Sequence, residues 1–206
     1  MAVIHRTTLR PTKLELLTAW LPSRPWYVGE GGAELVKTGG FRLDDPAGEV
    51  GIEFMVVTDV SGGGAVDYLV PLTYRGAPLE GAEGALVGTT EHGTLGRRWA
   101  YDGCYDPVLV GELAALLEGR TQAQDQNTSD AVDEEVARVY DGPALTGAVV
   151  VAEDEAGTEL RAEDGTVLRL HRALAAGAVE AGAGHLAGAW QRQDGTRARG
   201  PFVTLA

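Results

Sequence analysis

The sequence has very few of the residues from which covalent crosslinks and metal sites are built. Its 206 residues include one cysteine, Cys104, which excludes an internal disulfide and a cysteine-built zinc site. Its four histidines are scattered, without the HxH or HExxH spacing of a metal site. We therefore expect no metal and no bound cofactor, and we interpret Cys104 as a packed residue rather than a nucleophile.

Positive charge and long apolar runs are also scarce. Asp and Glu outnumber Lys and Arg by 30 to 17, which gives a formal net charge of −13. Because nucleic acids and anionic membranes bind clustered Lys and Arg, we expect neither as a partner. No apolar run approaches the ~20 residues that span a bilayer. The N-terminus lacks the apolar core of a secretory signal, so the expected location is the cytoplasm.

The remaining composition is that of an ordinary globular protein, since 44% of residues are hydrophobic and 23% are charged. The length of 206 residues is typical of one or two domains. Two helices have clear boundaries. Thr12 and Glu15 form a capping box before leucines at helical spacing, and Pro22 ends that helix. Asp106, followed by proline at the first helical position, begins a second helix that Gly119 ends.

Between the helices, period-two patterns of β-branched and aromatic residues predict antiparallel strands. Strands over 41–43, 50–57 and 68–74 are expected to form a meander, and a hairpin follows over 86–101. In the strand over 50–57, Met55 and Val57 make the second face apolar. That face must be covered by another element, or it is a docking surface.

The composition becomes polar and acidic after residue 119, which is typical of a linker or mobile loop. A short helix over 133–140 is one interpretation of its valine spacing. The last part is again β, because Asp-Gly at 164–165 and at 194–195 separates alternating runs.

The predicted fold class is therefore α+β: an antiparallel sheet packed with a few short helices, followed by a second antiparallel β segment. The predicted divisions are an α+β domain over 1–119, an acidic polar linker over 120–143 and the β segment over 144–206. The spacing leaves open whether that segment is a domain of its own or extends the first sheet.

The stretch from Trp20 to Gly29 contains two tryptophans, two prolines and an arginine in ten residues. A short amphipathic helix running into W-L-P-x-R-x-W-Y-x-G resembles the start of actinobacterial maltokinases, which use ATP to make maltose 1-phosphate. In that family the pattern belongs to the N-terminal cap, a small α+β module before the kinase lobes. The resemblance extends through 69–74 and 101–107 to about Gly119. It implies a cap-like domain followed by a degenerate remnant of a kinase N-lobe.

Kinase chemistry requires a lysine for the phosphates, together with acidic metal ligands and a base in a second lobe. The resemblance places the phosphate-pairing lysine at Arg169, whereas the lysines of this chain are Lys13 and Lys37. The sequence ends without a region that resembles the second lobe, so we expect no kinase activity. Asp102 and Asp106 could act as acid, base or metal ligand, but Gly103 and Pro107 beside them favour a turn and a helix cap.

Two functional hypotheses follow, and a third is remote. The first is a non-catalytic accessory protein that binds a kinase, an α-glucan or trehalose enzyme, or a second copy of itself, through Met55 and Val57. The second is a module that binds a maltose-like sugar or sugar phosphate, because tryptophans stack on sugar rings and arginines bind hydroxyls. Its candidate residues are Trp20, Arg24, Trp26, Tyr27, Arg97 and Trp99, although the aromatic residues among them are more typical of a core. The third is a divergent kinase-related transferase centred on Arg169.

Overall fold

The computed structural model describes residues 9–29, 31–128, 131–178 and 184–206. Two α-helices lie in this part of the chain, α1 (Lys13–Trp20) and α2 (Pro107–Glu118). The predicted capping box of α1 is confirmed, because the Thr12 hydroxyl accepts from the Glu15 amide and the Glu15 carboxylate accepts from the Thr12 amide. Gly119 ends α2 in the left-handed region at φ 76°. No helix of the described residues is long and apolar enough to cross a membrane.

The described residues also form three short 3-10 helices, at Leu21–Ser23, Glu83–Ala85 and Gly103–Tyr105, and twelve strands. In chain order the strands are β1 (Leu9–Arg10), β2 (Leu35–Leu43), β3 (Gly51–Asp59), β4 (Val66–Arg75), β5 (Leu86–His92), β6 (Gly96–Asp102), β7 (Ala137–Val139), β8 (Val149–Asp154), β9 (Gly157–Arg161), β10 (Val167–Leu170), β11 (His185–Gln191) and β12 (Arg197–Leu205).

All these strands belong to one antiparallel sheet with the order β1-β5-β6-β4-β3-β2-β11-β12-β10-β9-β8, and β7 pairs with β11. The predicted meander is β2-β3-β4, and the predicted hairpin is β5-β6. Asp164-Gly165 connects β9 to β10, and Asp194-Gly195 connects β11 to β12. The fold is mostly antiparallel β with a few short helices, which agrees roughly with the predicted α+β class, although strands dominate.

The strands of the last part of the chain continue the sheet that the first part begins. Trp190 of β11 pairs with Gly39 of β2, where an added Cβ would lie 3.0 Å from the Trp190 Cβ. The Leu69 amide of β4 donates to the Arg172 carbonyl at 2.8 Å, and the Leu174 amide donates to the Asp67 carbonyl at 2.7 Å. The path through β3, β2, β11, β12 and β10 therefore returns to β4 and closes a ring of strands.

Two hydrophobic clusters lie on opposite faces of β3. Ile52, Phe54 and Val56 pack with α2 and with strands of the last part of the chain. Met55 and Val57 pack on the other face beneath α1. Of the two alternatives that the sequence left open for this second face, the structure shows the covered one.

The segment predicted as a linker is largely exposed, but it is joined to the fold at several points. Gln124 and Arg42 exchange two backbone hydrogen bonds of 2.8 and 2.9 Å, and the Arg138 guanidinium donates to the Leu117 carbonyl at 3.1 Å. The helix considered over 133–140 is wrong, because residues 137–139 form β7. Pairing with β11 satisfies their backbone groups, and valine suits a strand. The division into domains remains a prediction.

Candidate functional site

The aromatic stretch lies where α1, β4 and the last part of the chain meet. Pro22 and Pro25 turn the backbone after α1, so Trp26 is buried under the helix. Its ring centroid lies 5.8 Å from that of Trp20 and 6.0 Å from that of Tyr68. Tyr27 stacks on Tyr68 at 5.7 Å. Trp20 and Trp26 pack an interior joint, so their rings have no open face for a ligand, whereas Tyr27 is half-buried beside them.

Arg172, which follows β10, is a fully buried arginine at this joint. Its guanidinium lies 4.9 Å from the centre of the Trp26 ring. Nη2 donates to both carboxylate oxygens of Asp102, at 2.8 and 2.7 Å, and Nε donates to the Thr158 hydroxyl at 2.8 Å. Burial alone would lower the pKa of Arg172, but the Asp102 charge and hydrogen bonds outweigh it and raise the pKa. The arginine therefore remains a paired cation that joins β6 to the last part of the chain.

Glu153 of β8 is the second carboxylate of this group, 3.7 Å from Arg172. It accepts hydrogen bonds from Trp26 Nε1 at 3.3 Å, from the Thr158 hydroxyl at 3.0 Å and from the Tyr105 hydroxyl at 3.1 Å. Burial and the Glu153 charge raise the pKa of Tyr105 above its ordinary value. This set of hydrogen-bonded side chains is called the Arg172 network below; its members are Arg172, Asp102, Glu153, Thr158, Tyr105 and Trp26.

The single cysteine of the chain lies beside this network. Cys104 borders it, with Sγ 3.2 Å from Arg172 Nη2, and burial raises the pKa of its thiol well above the ordinary value. The thiol is thus protonated at neutral pH, which opposes a nucleophilic role. Arg172 Nη1 has no hydrogen-bond partner among the described residues.

A second buried ionic group lies under the N-terminal end of α1. Lys13 and Lys37, the two lysines of the chain, both donate to the buried carboxylate of Glu53, Lys37 at 3.0 Å. The Tyr74 hydroxyl adds a third donor at 3.2 Å. Burial alone would raise the pKa of Glu53, but the two ammonium charges and their hydrogen bonds bring it down from 4.5 to about 2.

Replacement of Glu53 by glutamine is expected to destabilise the fold by about 3 kcal/mol at pH 7, because two ammonium groups lose their shared buried partner. The wild-type carboxylate has its pKa lowered on folding. Its stabilisation is therefore complete above the unfolded pKa of about 4.3 and is lost as the pH falls through about 2. Urea titrations between pH 7 and pH 2 measure both effects.

The matched control is Glu80→Gln at an exposed carboxylate, which should change stability by less than about 0.5 kcal/mol. The difference between wild type and Glu53→Gln should shrink as the pH falls from about 4.5 to about 2. A difference that stays constant over this range would show that the ion pairs do not stabilise the fold.

The predicted interface at Met55 and Val57 is not an exposed surface. Both side chains are fully buried, because α1 lies across this face of β3 and brings Leu17 and Trp20 against it. The interpretation of these two residues as a docking surface is therefore corrected: they belong to the core.

The structure does not bring the predicted sugar-binding residues into one site. Arg24 lies 4.8 Å over the Trp20 ring and donates to Ser23, beside the α1 cluster. Trp99 instead packs in a separate small cluster with Tyr101. Arg97 is exposed and pairs with Glu91 at 3.0 Å. Two clefts of about 340 and 370 Å³ are lined by other residues.

Each group considered for chemistry makes a structural contact. Asp102 accepts from the Cys104 amide at 3.1 Å besides pairing with Arg172. Asp106 accepts from the Val108 amide as the α2 cap, and Arg75 binds it through two contacts of 2.6 Å. Burial opposes ionisation of Asp106, but these donors keep its pKa below the ordinary value. Arg169 pairs across strands with Glu159 and with Asp154.

Among the described residues, no three His, Cys, Asp or Glu side chains are grouped so that they could hold a metal ion.

Three buried charged residues of these groups, Arg172, Glu153 and Glu53, were not predicted from the sequence. A signal existed for Arg172, because it continues the inward alternation of Leu168 and Leu170, where a charge requires a buried partner. Glu53 similarly shares its strand face with Met55 and Val57. The partners themselves are too distant in sequence to be read from spacing.

A comparison with protein families finds a match for part of the chain. Residues 20–106 match the family described as the maltokinase N-terminal cap domain. This segment, which begins at Trp20 and ends at Asp106, is thus a cap-like domain, as the aromatic motif predicts. A comparison with curated proteins found no match.

Proposed function

Because residues 20–106 are a maltokinase N-terminal cap-like domain, we propose that this chain is a non-catalytic accessory protein that acts by binding another protein. Its partner is a kinase or an enzyme of maltose, trehalose or α-glucan metabolism, and it acts in the cytoplasm. The main support is the family match itself, because the cap of a maltokinase precedes the lobes that carry the chemistry.

The pairing of three partly exposed cations supports a role in binding rather than in phosphate chemistry. Arg169 faces two carboxylates, and both lysines are used by Glu53, so these cations are already neutralised. A phosphate would have to displace a carboxylate from any of them, which opposes the transferase alternative. Burial of Trp20 and Trp26 likewise opposes the sugar-binding alternative, since stacking needs an open ring face.

Affinity capture of the tagged, intact chain from a lysate of its source organism tests this proposal, with the captured proteins identified by mass spectrometry. We expect recovery of one maltose, trehalose or α-glucan enzyme, or of a kinase, near a one-to-one ratio. The matched control is capture with Val28→Glu, a change at an exposed valine outside the sheet.

A parallel assay separates the alternatives. The purified chain, incubated with ATP and maltose, should form no maltose 1-phosphate, and titration calorimetry with maltose, trehalose and their phosphates should give no heat. Product formation would favour the transferase, and heat at millimolar sugar would favour the sugar-binding module. A chain that runs as a monomer and captures nothing specific would contradict the accessory role.

A further inference from the structure

The end of the sheet at β8 carries an unusual concentration of exposed apolar side chains. Within the described residues β8 pairs with β9 alone and is the last strand of the sheet path. Val149 and Val151 are 59% and 46% exposed, whereas Ala148 and Val150 face the core. Tyr105, 40% exposed, lies on the other, core-facing side of β8, because its hydroxyl bonds to Glu153, which is paired with the buried Thr158 of β9. Val149 and Val151 are called the β8 strip.

Edge strands usually carry charges, prolines or bulges that discourage contact with other chains. A bulge is present in β8, since the pairing register with β9 shifts between Val150 and Ala152. The residue in this bulge is Val151, however, so an apolar side chain stands where a charge would protect the edge. The bulge also interrupts a continuous backbone ladder. Contact at the strip therefore depends mainly on its side chains.

The surroundings of the strip are acidic. Glu155 follows β8 directly, after Asp154, which is already paired with Arg169 at 3.5 Å, and Glu163 lies near the start of the strand, where the Glu163 amide donates to the Thr146 carbonyl at 3.0 Å. Arg161 lies opposite Val149 on β9. Two copies of a chain with a net charge of −13 would bring like charges together at this edge, which opposes self-association.

We propose that the β8 strip is the surface through which this chain binds its protein partner, an inference that rests on the proposed accessory function. The partner presents an extended segment in which β-branched or aromatic side chains alternate with Lys or Arg. Its apolar side chains cover Val149 and Val151, and its basic side chains pair with Glu155 and Glu163 at the two ends of β8. The strand is six residues long, about 20 Å, which an extended segment of similar length would match.

Selection from a displayed library of random 12-residue peptides on the immobilised full chain tests the strip without the metabolic partner. We expect enriched peptides to carry alternating β-branched or aromatic residues and a positive charge. Their affinity should fall about tenfold in the variant Val149→Glu/Val151→Glu and should weaken with added salt. The matched control, Val28→Glu/Val36→Glu, changes two similarly exposed valines elsewhere and should leave affinity unchanged.

A measurement on the unmodified protein tests the strip even if the variant Val149→Glu/Val151→Glu does not fold. An enriched peptide should shift the amide NMR resonances of residues 148–153 more than those of the other strands. The proposal that the strip binds a partner would be contradicted by any of three results. These are selection of no peptide, selection of peptides without the pattern, and selection of peptides that bind both variants equally. If affinity capture recovers the same enzyme with wild type and with Val149→Glu/Val151→Glu, the accessory function stands and the strip assignment fails.

Discussion

Replacement of Arg172 by methionine is expected to lower the free energy of unfolding by about 3 to 5 kcal/mol, which is typical of breaking a buried ion pair by removing one partner. Methionine keeps much of the side-chain length, so the lost charge dominates over lost packing. Asp102, which is buried, would then keep its charge without a counter-ion. The Thr158 hydroxyl would also lose the 2.8 Å hydrogen bond that it accepts from Arg172 Nε. Chemical denaturation at pH 7 measures the change.

A double-mutant cycle separates the ion pair from packing. Asp102→Asn in the Arg172→Met background should recover part of the loss, because it removes the unpaired charge while the side-chain oxygen can still accept from the Cys104 amide. The matched control is Arg161→Met on β9, at an exposed arginine, with an expected change below about 0.5 kcal/mol. Equal losses for Arg172→Met and Arg161→Met would contradict the role of the network.

Local features of the fold follow from the sequence because their causes are local. The capping box, the proline after Asp106 and the glycine after α2 act on neighbouring backbone groups, so short patterns reveal them. Asp-Gly turns similarly specify the hairpins β9-β10 and β11-β12. The predicted helix over 133–140 failed, because the pairing of residues 137–139 with β11 is non-local and overrides the valine spacing.

The joint between the two parts of the chain could not be predicted, because its contacts span long separations. Trp26 and Glu153 are 127 positions apart, and Arg172 and Asp102 are 70 apart. The aromatic motif was recognised as the start of a cap, but nothing in its spacing identifies an arginine as the group that contacts the Trp26 ring. Spacing also cannot show that α1 covers Met55 and Val57, which changes a predicted docking surface into core.

The shared ring of strands leads to a second large expected effect. The fragment 1–119, the predicted cap-like domain, is expected not to fold cooperatively on its own. It lacks Trp190 and Phe202, whose ring centroids are 6.1 Å apart, and Phe202 lies 6.2 Å from Phe41 in the shared core. Without them, apolar side chains of β2, β3 and β4 would face water.

The expected loss exceeds what a small domain can tolerate. Each large side chain left uncovered costs about 2 kcal/mol, and a typical domain has only about 5–15 kcal/mol of net stability. The fragment would also leave Asp102 without Arg172. Near-UV circular dichroism and urea titration should therefore show no cooperative transition in 1–119.

The control for this prediction keeps the contacts between the strands of the two parts of the chain and removes the chain continuity between them. A protease site placed at the exposed residues 141–143 allows the folded protein to be cut, and the cut protein should keep its near-UV spectrum and cooperative unfolding. Folding of the cut protein together with failure of 1–119 would assign the loss to the missing strands. A cooperative transition in 1–119 alone would instead show that the cap-like domain is autonomous and that the shared ring adds little stability. In that case, the burial of Trp26 against Arg172 would reflect docking of two preformed units rather than folding of one.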